Sequence, residues 1–511
     1  MAGILIENCK VGGIGLGSVY SMGGRIVRVS GDPTQPVPEE TETIDAGGGS
    51  LIPGLIDSHC HPFEYGWLKR SVDLRGTSNI TGIRLRLYSA VQKAKPGEWV
   101  TGMGWDQETF SDGRMPNRLD LDDVSPNNPV AISRICGHIA LLNGNAIEAL
   151  GLQSRVGREY ERDSAGELTG IVKEAALAEV FDKVPRSAER AASDLQSVEV
   201  EAGRLGLTTL HCILSPEGFA EELEGLAGLD SSGSLSLRFR VYVPPEALDY
   251  VESKGFRKKM NNDRLRLNGV KIYADGSLGA RTAALREPYS DDPSNTGILR
   301  QSDEELEALV DRIDTMGYQA IIHAIGDRAV EQAIGALAGV AGTKNPRRHR
   351  IEHASLLPKD LRSRMAHHGI SATVQPLFIT SDTWAVDRLG EERAGDLYPL
   401  KSMLDDGLVA SGSSDSPVES MSPVLGIWAS MVRGGIAPNE SLTFGEALGL
   451  YTSNSASNGF DEASSSLKEG GRADMTLLDS DVGGMHPALF RKVGVAATIV
   501  DGSVIHSFGG A

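Results

Sequence analysis

The fold is decided first by residues 51–61, LIPGLIDSHCH, where an apolar run leads directly into two histidines. Side chains of an extended strand alternate sides with a period of two residues, so His59 and His61 are expected on the same side. Two neutral imidazoles that converge in this way suit Zn²⁺ or a similar divalent cation. An isolated H-x-H pair is by itself only a weak indication of a metal site.

Seven further apolar or β-prone runs follow, and helical stretches separate the later ones. Together with the run at 51–56 they predict the eight strands of a (β/α)8 barrel, an α/β fold. These runs occupy residues 208–213, 237–243, 270–273, 320–323, 350–353, 371–374 and 408–411. The interval between the first two runs is too long for one connection. An α+β insertion is therefore predicted at residues 75–190.

Both ends of the chain have short β-prone runs separated by tight-turn signals such as Gly23-Gly24 and Asp501-Gly502. Because the ends of a domain often lie close together, these runs are expected to combine. The predicted organisation is a composite β-sandwich domain from residues 1–55 and 466–511. A TIM-like barrel domain at residues 56–465 contains the insertion.

Composition excludes several classes of protein. The 511 residues carry 50 Lys and Arg against 69 Asp and Glu, a net charge of −19, which argues against nucleic acid or an anionic membrane as partner. Four scattered cysteines form no C-x-x-C pair, as is typical of a reducing compartment. No signal peptide and no run of 18 apolar residues is evident. We expect a cytoplasmic protein with a small-molecule partner, and a homodimer is left open.

Residues of metal-binding type recur at the ends of the later predicted strands. His323 and His353 end two of them, Lys271 lies within another, and Asp415 follows the last. The carboxyl ends of barrel strands meet at one mouth, so these side chains are expected to lie together. The alternative is a set of buried histidines bonded to the backbone. The recurrence favours a metal-dependent enzyme.

The sequence then resembles a known group of enzymes. Residues 51–61 look like the opening of the amidohydrolase superfamily. Residues 270–282, 323–327 and 414–417 resemble its amidohydrolase family 3 branch, which includes N-substituted formamide deformylases. The resemblance covers nearly the whole chain, and its motifs are specific for the family rather than for a substrate.

The resemblance implies a divalent metal cofactor, with zinc as the first choice. The implied ligands are His59, His61 and Asp415 for one ion and His323 and His353 for a second ion. Lys271 matches a position that is carboxylated in binuclear members and bridges both ions, because a carbamate supplies anionic oxygens that an ammonium lacks. A free lysine beside a single ion is the alternative.

The expected reaction is hydrolysis of a C–N bond in an amide, N-formyl, N-acyl or cyclic amide compound. A bound cation lowers the pKa of its water towards ~7, and the resulting hydroxide attacks the carbonyl. Asp415 accepts the water's proton and passes it to the leaving nitrogen. The alternatives are an ester or carbamate hydrolase, a deaminase, against which Lys271 counts, and a catalytically silent scaffold.

Four residues are predicted to contact substrate, each with a structural alternative. His138 matches a family motif near the substrate and is equally well a structural histidine. Arg281 and Asp275 either orient the substrate or brace the loop after the fourth strand. Trp105 either lines an apolar pocket or belongs to the core. His211 has no motif around it and is expected to be structural.

Overall fold

A computed structural model describes residues 3–12, 14–31, 36–136 and 138–508. The chain divides into two units, which we call unit 1 (residues 1–62 and 195–511) and unit 2 (residues 63–194). In sequence, unit 2 falls between the first two strands of the barrel described below. The three domains predicted from the sequence are a finer division, and their bounds stay predictions.

Strands are numbered in chain order. They are β1 (Gly3–Val11), β2 (Gly15–Met22), β3 (Arg25–Ser30), β4 (Glu42–Asp45), β5 (Ser50–Pro53), β6 (Leu55–Cys60), β7 (Val72–Asp73), β8 (Val100–Trp105), β9 (Val130–Arg134), β10 (Ile139–Leu142), β11 (Tyr160–Arg162), β12 (Leu168–Lys173), β13 (Leu207–Ile213), β14 (Arg238–Val243), β15 (Leu265–Tyr273), β16 (Gln319–Ala324), β17 (Arg350–His353), β18 (Ser371–Val374), β19 (Ala410–Gly412), β20 (Met475–Leu478), β21 (Val495–Val500) and β22 (Ser503–Ser507).

Helices are numbered in the same way. They are α1 (Pro62–Arg70), α2 (Ile80–Val91), α3 (Leu119–Asp122), α4 (Gly144–Ala149), α5 (Ala175–Asp182), α6 (Ala188–Arg204), α7 (Phe219–Ser231), α8 (Leu248–Lys254), α9 (Phe256–Lys259), α10 (Asp303–Thr315), α11 (Asp327–Ala341), α12 (Lys359–His367), α13 (Phe378–Ser381), α14 (Ala385–Ala394), α15 (Leu400–Asp405), α16 (Pro423–Val432), α17 (Phe444–Leu450), α18 (Ser453–Gly459) and α19 (Pro487–Phe490).

Eight parallel strands of unit 1 form the barrel. Their order is β6, β13, β14, β15, β16, β17, β18 and β19, and β19 contacts β6 so that the sheet nearly closes. The strands are almost entirely buried and rich in β-branched and other apolar residues, as expected when both faces of a parallel sheet are covered. The predicted α/β barrel is therefore confirmed, with each predicted run overlapping one of these strands.

The second sheet of unit 1 joins strands from both ends of the chain. Its order is β22, β21, β20, β5, β1, β2 and β3, with β4 paired to β1. Strand β5 lies between β1, to which it is parallel, and β20, to which it is antiparallel. The Val482 backbone N–H donates to Ser50 Oγ over 3.0 Å across a sequence separation of 432 residues. The division of this sheet into the two layers of a sandwich stays a prediction.

Unit 2 has its own sheet and core. The strand order is β11, β12, β10, β9, β8 and β7. Helix α2 covers this core with Ile80, Ile83, Leu87 and Val91, whose spacing of three and four residues places them on one face. The Asn79 side chain caps this helix by accepting the Gly82 N–H over 2.7 Å.

Among the described residues, no helix has both the length and the apolar character needed to cross a bilayer.

Candidate metal centre

Three side chains meet at the carboxyl end of the barrel. His59 lies near the end of β6, and His61 comes directly after this strand. Nε2 of His59 and Nε2 of His61 each lie 3.3 Å from Oδ1 of Asp415. The three candidate ligand atoms all lie within 4.8 Å of one another. These residues, which we call the His-His-Asp group, could hold a divalent cation.

The other predicted ligands surround the His-His-Asp group. The ring centroids of His59 and His353 are 5.1 Å apart, and those of His353 and His323 are 4.4 Å apart. Lys271 on β15 is buried, with its Nζ 3.4 Å from Nε2 of His59. All six residue positions named for metal binding therefore lie at the same mouth of the barrel.

Left-handed backbone conformations direct two of these side chains. His353 and Ala354 have φ values of 72° and 44° where β17 ends, and Asp415 has φ of 55° just after β19. Residues other than glycine rarely adopt this region, and such positions cluster at functional sites. The Asp415 backbone N–H donates to the His59 carbonyl over 2.9 Å, which holds the turn after β19 beside β6.

Hydrogen bonds fix the orientation of three imidazoles. Nδ1 of His59 bonds Oε2 of Glu352, and Nδ1 of His353 bonds Oε1 of Gln375 at 2.8 Å. Nε2 of His323 bonds the Gly276 carbonyl at 3.0 Å. A neutral imidazole that donates from one nitrogen presents the lone pair of the other, which is the state a metal requires. The donor set thus fits a divalent cation.

The charge states of His323, His353 and Asp415 agree with that fit. Burial lowers the pKa of His323 well below its usual range and that of His353 to about 3, so both rings are neutral at neutral pH. Burial alone would raise the pKa of Asp415, but hydrogen bonds to His59 and His61 bring it well below its usual value. Burial also lowers the pKa of Lys271 to about 8. Neutral rings and a carboxylate are suitable ligands for zinc.

Asp275 braces the loops beside the cluster. Its buried carboxylate accepts backbone N–H groups from Ala284, Ile325 and Gly326 at 2.9–3.1 Å, and it lies 3.5 Å from Nε2 of His323. Arg281 pairs with Asp291 at 2.9 Å. These contacts agree with the alternative in which Asp275 and Arg281 brace the loop after the fourth barrel strand. Contact of either residue with substrate stays a prediction.

The two remaining substrate candidates belong to unit 2. His138 is exposed, with Nδ1 3.3 Å from Oε2 of Glu174. Trp105 is fully buried in the core of unit 2, where its indole N–H donates to the Ile132 carbonyl over 3.2 Å. Nothing at the position of Trp105 supports the predicted contact with substrate, and the role of His138 stays a prediction.

Several residues around the cluster are absent from the sequence prediction. Glu352 and Gln375 hold ligand-type histidines, and Tyr273 has its ring centroid 5.3 Å from that of His323. Period-two spacing could have indicated two of them: Tyr273 lies two residues after Lys271, and Glu352 two residues after Arg350. No local signal in the sequence marks Gln375.

His211 leads to a prediction about stability. It is fully buried on β13, and neither ring nitrogen has a hydrogen-bond partner among the described residues. Burial, together with the positive charges of Arg350 and Arg240, lowers the pKa of His211 well below 6.5. As the pH falls below ~6.5, His211 therefore binds a proton in the unfolded chain but stays neutral in the folded protein. This difference lowers the free energy of unfolding, with a slope that approaches about 1.4 kcal/mol per pH unit.

Urea unfolding between pH 7.5 and 5.5 measures this effect. Over this range the His211→Leu variant should lose about 1.4 kcal/mol less stability than the wild type, and its pH slope should be correspondingly shallower. The His367→Gln variant, changed at an exposed helix position, should retain the wild-type slope. An unchanged slope in His211→Leu would contradict the prediction.

Comparison with known proteins places this geometry in context. A model of the amidohydrolase family matches residues 42–506. The chain is 31% identical over 484 residues to YtcJ of Bacillus subtilis (strain 168), which carries amidohydrolase in its name, with 91% of each chain covered. It is 27% identical over 514 residues to N-substituted formamide deformylase of Arthrobacter pascens, covering 95% of this chain and 94% of that one.

A solved structure agrees with these sequence relatives. It is that of an uncharacterized metal-dependent hydrolase from Pyrococcus furiosus, and it matches with a TM-score of 0.81 and 31% sequence identity. The match covers 94% of this chain and 99% of that chain. The likeness therefore includes sequence as well as fold.

Proposed function

The chain belongs to the amidohydrolase family, and we propose that it hydrolyses the amide bond of a small N-formyl, N-acyl or cyclic amide compound. It is a metal-dependent hydrolase that acts on carbon–nitrogen bonds. The observation that carries the proposal is the convergence of His59, His61 and Asp415 at the barrel mouth. The name of the Arthrobacter relative supports N-substituted formamides as the first substrates to examine.

Each predicted ligand has a proposed place. His59, His61 and Asp415 would hold one ion, and His323 and His353 would hold a second. A divalent cation in such a site supplies a water of lowered pKa and polarises the carbonyl to be attacked. Zinc suits the imidazole and carboxylate donors.

Lys271 is proposed to bridge the two ions as a carbamate. An ammonium cannot ligate a cation, whereas addition of CO₂ to the neutral amine, with loss of a proton, gives two anionic oxygens. Burial lowers the pKa of Lys271 to about 8, so the reactive neutral amine is accessible near neutral pH. In the alternative with one ion, Lys271 stays unmodified beside His59.

Asp415 is proposed as the residue that moves protons. Its carboxylate is ionised and lies beside both imidazoles of the H-x-H pair. It can accept a proton from the attacking water and return it to the leaving nitrogen. That return matters because an amine leaves readily only when it is protonated.

Metal removal tests the proposal. Purified protein should contain one or two equivalents of a divalent metal per chain, by elemental analysis. Chelation should abolish hydrolysis of its best substrate, and zinc should restore it. The His367→Gln variant, changed at an exposed helix position, is expected to behave like the wild type. Undiminished hydrolysis by metal-free protein would refute the proposal.

A substrate screen separates the chemical classes. It compares N-formyl, N-acyl, cyclic amide, carbamate and ester compounds under identical metal loading, together with amidines for deamination. Preference for the first three classes supports the proposal. Hydrolysis confined to esters or carbamates, or release of ammonia from amidines, would establish the alternative use of the same site.

A further inference from the structure

A buried pair of opposite charges lies directly behind His59. Arg350 and Glu352 are two residues apart on β17, so they share one face of the strand. Both side chains have no exposed surface. Arg350 Nε donates to Oε1 of Glu352, and the other carboxylate oxygen, Oε2, bonds Nδ1 of His59. Both carboxylate oxygens of Glu352 therefore take part in hydrogen bonds.

The guanidinium of Arg350 is bonded to other strands of the barrel. It donates to the Tyr242 hydroxyl on β14 over 2.9 Å and to the Ser58 carbonyl on β6 over 3.1 Å. Tyr242 in turn donates to Gln319 Oε1 on β16 over 2.8 Å. One oxygen of the Glu352 carboxylate is thus held by Arg350, which bonds other strands of the barrel, and the other oxygen bonds His59.

A contribution to folding stability does not by itself explain why this ion pair is buried. Removing two charges from water can cost more than their mutual attraction returns, and apolar replacements of similar volume are often at least as stable. The pair also distinguishes His59 from His353, whose Nδ1 bonds the neutral side-chain oxygen of Gln375. His323 donates to the Gly276 carbonyl, and Asp275 lies 3.5 Å from the same nitrogen. A hydrogen bond to an ionised acceptor is stronger and increases the basicity of a metal-bound imidazole.

We propose that Glu352 and Arg350 are positioning residues for the first metal ion. Glu352 holds the His59 ring with Nε2 directed at the cation and strengthens it as a ligand, while Arg350 fixes the carboxylate. This inference rests on the proposed function, since it requires that His59 binds metal. Loss of the carboxylate should weaken metal binding by roughly 10- to 100-fold.

Metal affinity of the full-length apo-protein tests the proposal. Zinc is titrated in competition with a chromophoric chelator, and circular dichroism with thermal unfolding reports the fold of each apo-protein. Two variants are compared with the wild type: Glu352→Gln, and the double variant R350M/E352M. The double variant leaves no unpaired buried charge, so it should fold even where the single variant does not. Both should bind zinc roughly 10- to 100-fold more weakly.

Glu199→Gln is the matched control. Glu199 is also a buried carboxylate of unit 1, and it accepts the backbone N–H groups of Ser236 and Leu237. This substitution should change thermal stability but leave zinc affinity unaltered. A general effect of losing a buried carboxylate would lower affinity in this variant as well.

The outcomes separate this inference from the proposed function. If the wild type binds no metal, the proposed function fails. If the wild type binds zinc and the folded Glu352 variants bind it as tightly, the positioning role is overturned. If neither variant folds, ¹⁵N-histidine NMR spectra of the metal-free wild type test whether Glu352 positions the His59 ring. The signal absent from His59→Gln must show a proton on Nδ1, as the bond to Glu352 requires, and an Nδ1 without a proton would overturn the proposal.

Discussion

Asp415→Asn is expected to lower kcat by roughly 10²- to 10⁴-fold while most of the metal stays bound. Asparagine keeps an oxygen that can face the cation, but it cannot accept and return a proton at neutral pH. The ionised carboxylate that the change removes lies 3.3 Å from Nε2 of both His59 and His61. Steady-state kinetics with the best amide substrate, and elemental analysis of the same samples, measure the two quantities.

Asp249→Asn serves as the control for this substitution. Asp249 is a largely exposed partner of Arg312, so its loss should leave both kcat and metal content unchanged. Near-normal kcat in Asp415→Asn would reject the proton-transfer role. Loss of the metal in that variant would instead assign Asp415 mainly to metal binding.

Lys271→Ala is expected to reduce kcat/KM by roughly 10²- to 10⁴-fold, because the oxygens of the proposed carbamate would help to hold the ions, and metal ions stabilise such a transition state by several kcal/mol. The metal content should fall at the same time. Added formate or acetate should restore part of the activity, since the truncated side chain leaves room for a free carboxylate between the ligand groups. The measurements are kcat/KM and metal content with and without the added acid.

Lys401→Ala, changed at a partly exposed lysine paired with Asp405 and Glu446, should be neutral in these assays. The two accounts of Lys271 predict different results. A free lysine beside one ion would leave the metal content of Lys271→Ala unchanged, and small carboxylates would give no recovery.

Much of the barrel and its metal-binding side chains could be predicted because both depend on local patterns. Apolar runs of four to seven residues identify buried parallel strands, and the period of two places His59 and His61 together. The meeting of His323, His353 and Asp415 follows from the barrel, whose strands all end at one mouth. None of this required knowledge of the loops.

The details that could not be predicted depend on backbone conformation and on partners distant in sequence. Alternation along β17 does not reveal the left-handed turn at His353 and Ala354, which directs that ring. Glu352 resembles an ordinary polar residue in a strand until its contacts with Arg350 and His59 are known. Trp105 is equally consistent with a pocket or a core, and only the packing of unit 2 shows its burial.

The sheet shared by the two ends of the chain has a consequence for biosynthesis. A ribosome delivers β1 to β5 long before β20, yet β5 acquires its second neighbour only from β20. The barrel has the same property, since β6 emerges first and contacts β19, which emerges last among the barrel strands. Contacts this distant in sequence are slow to form, and unpaired strand edges favour aggregation. The strands at the N-terminal end can pair with one another early, but one edge of β5 and one edge of β6 lack their native neighbours until β20 and β19 have been synthesised.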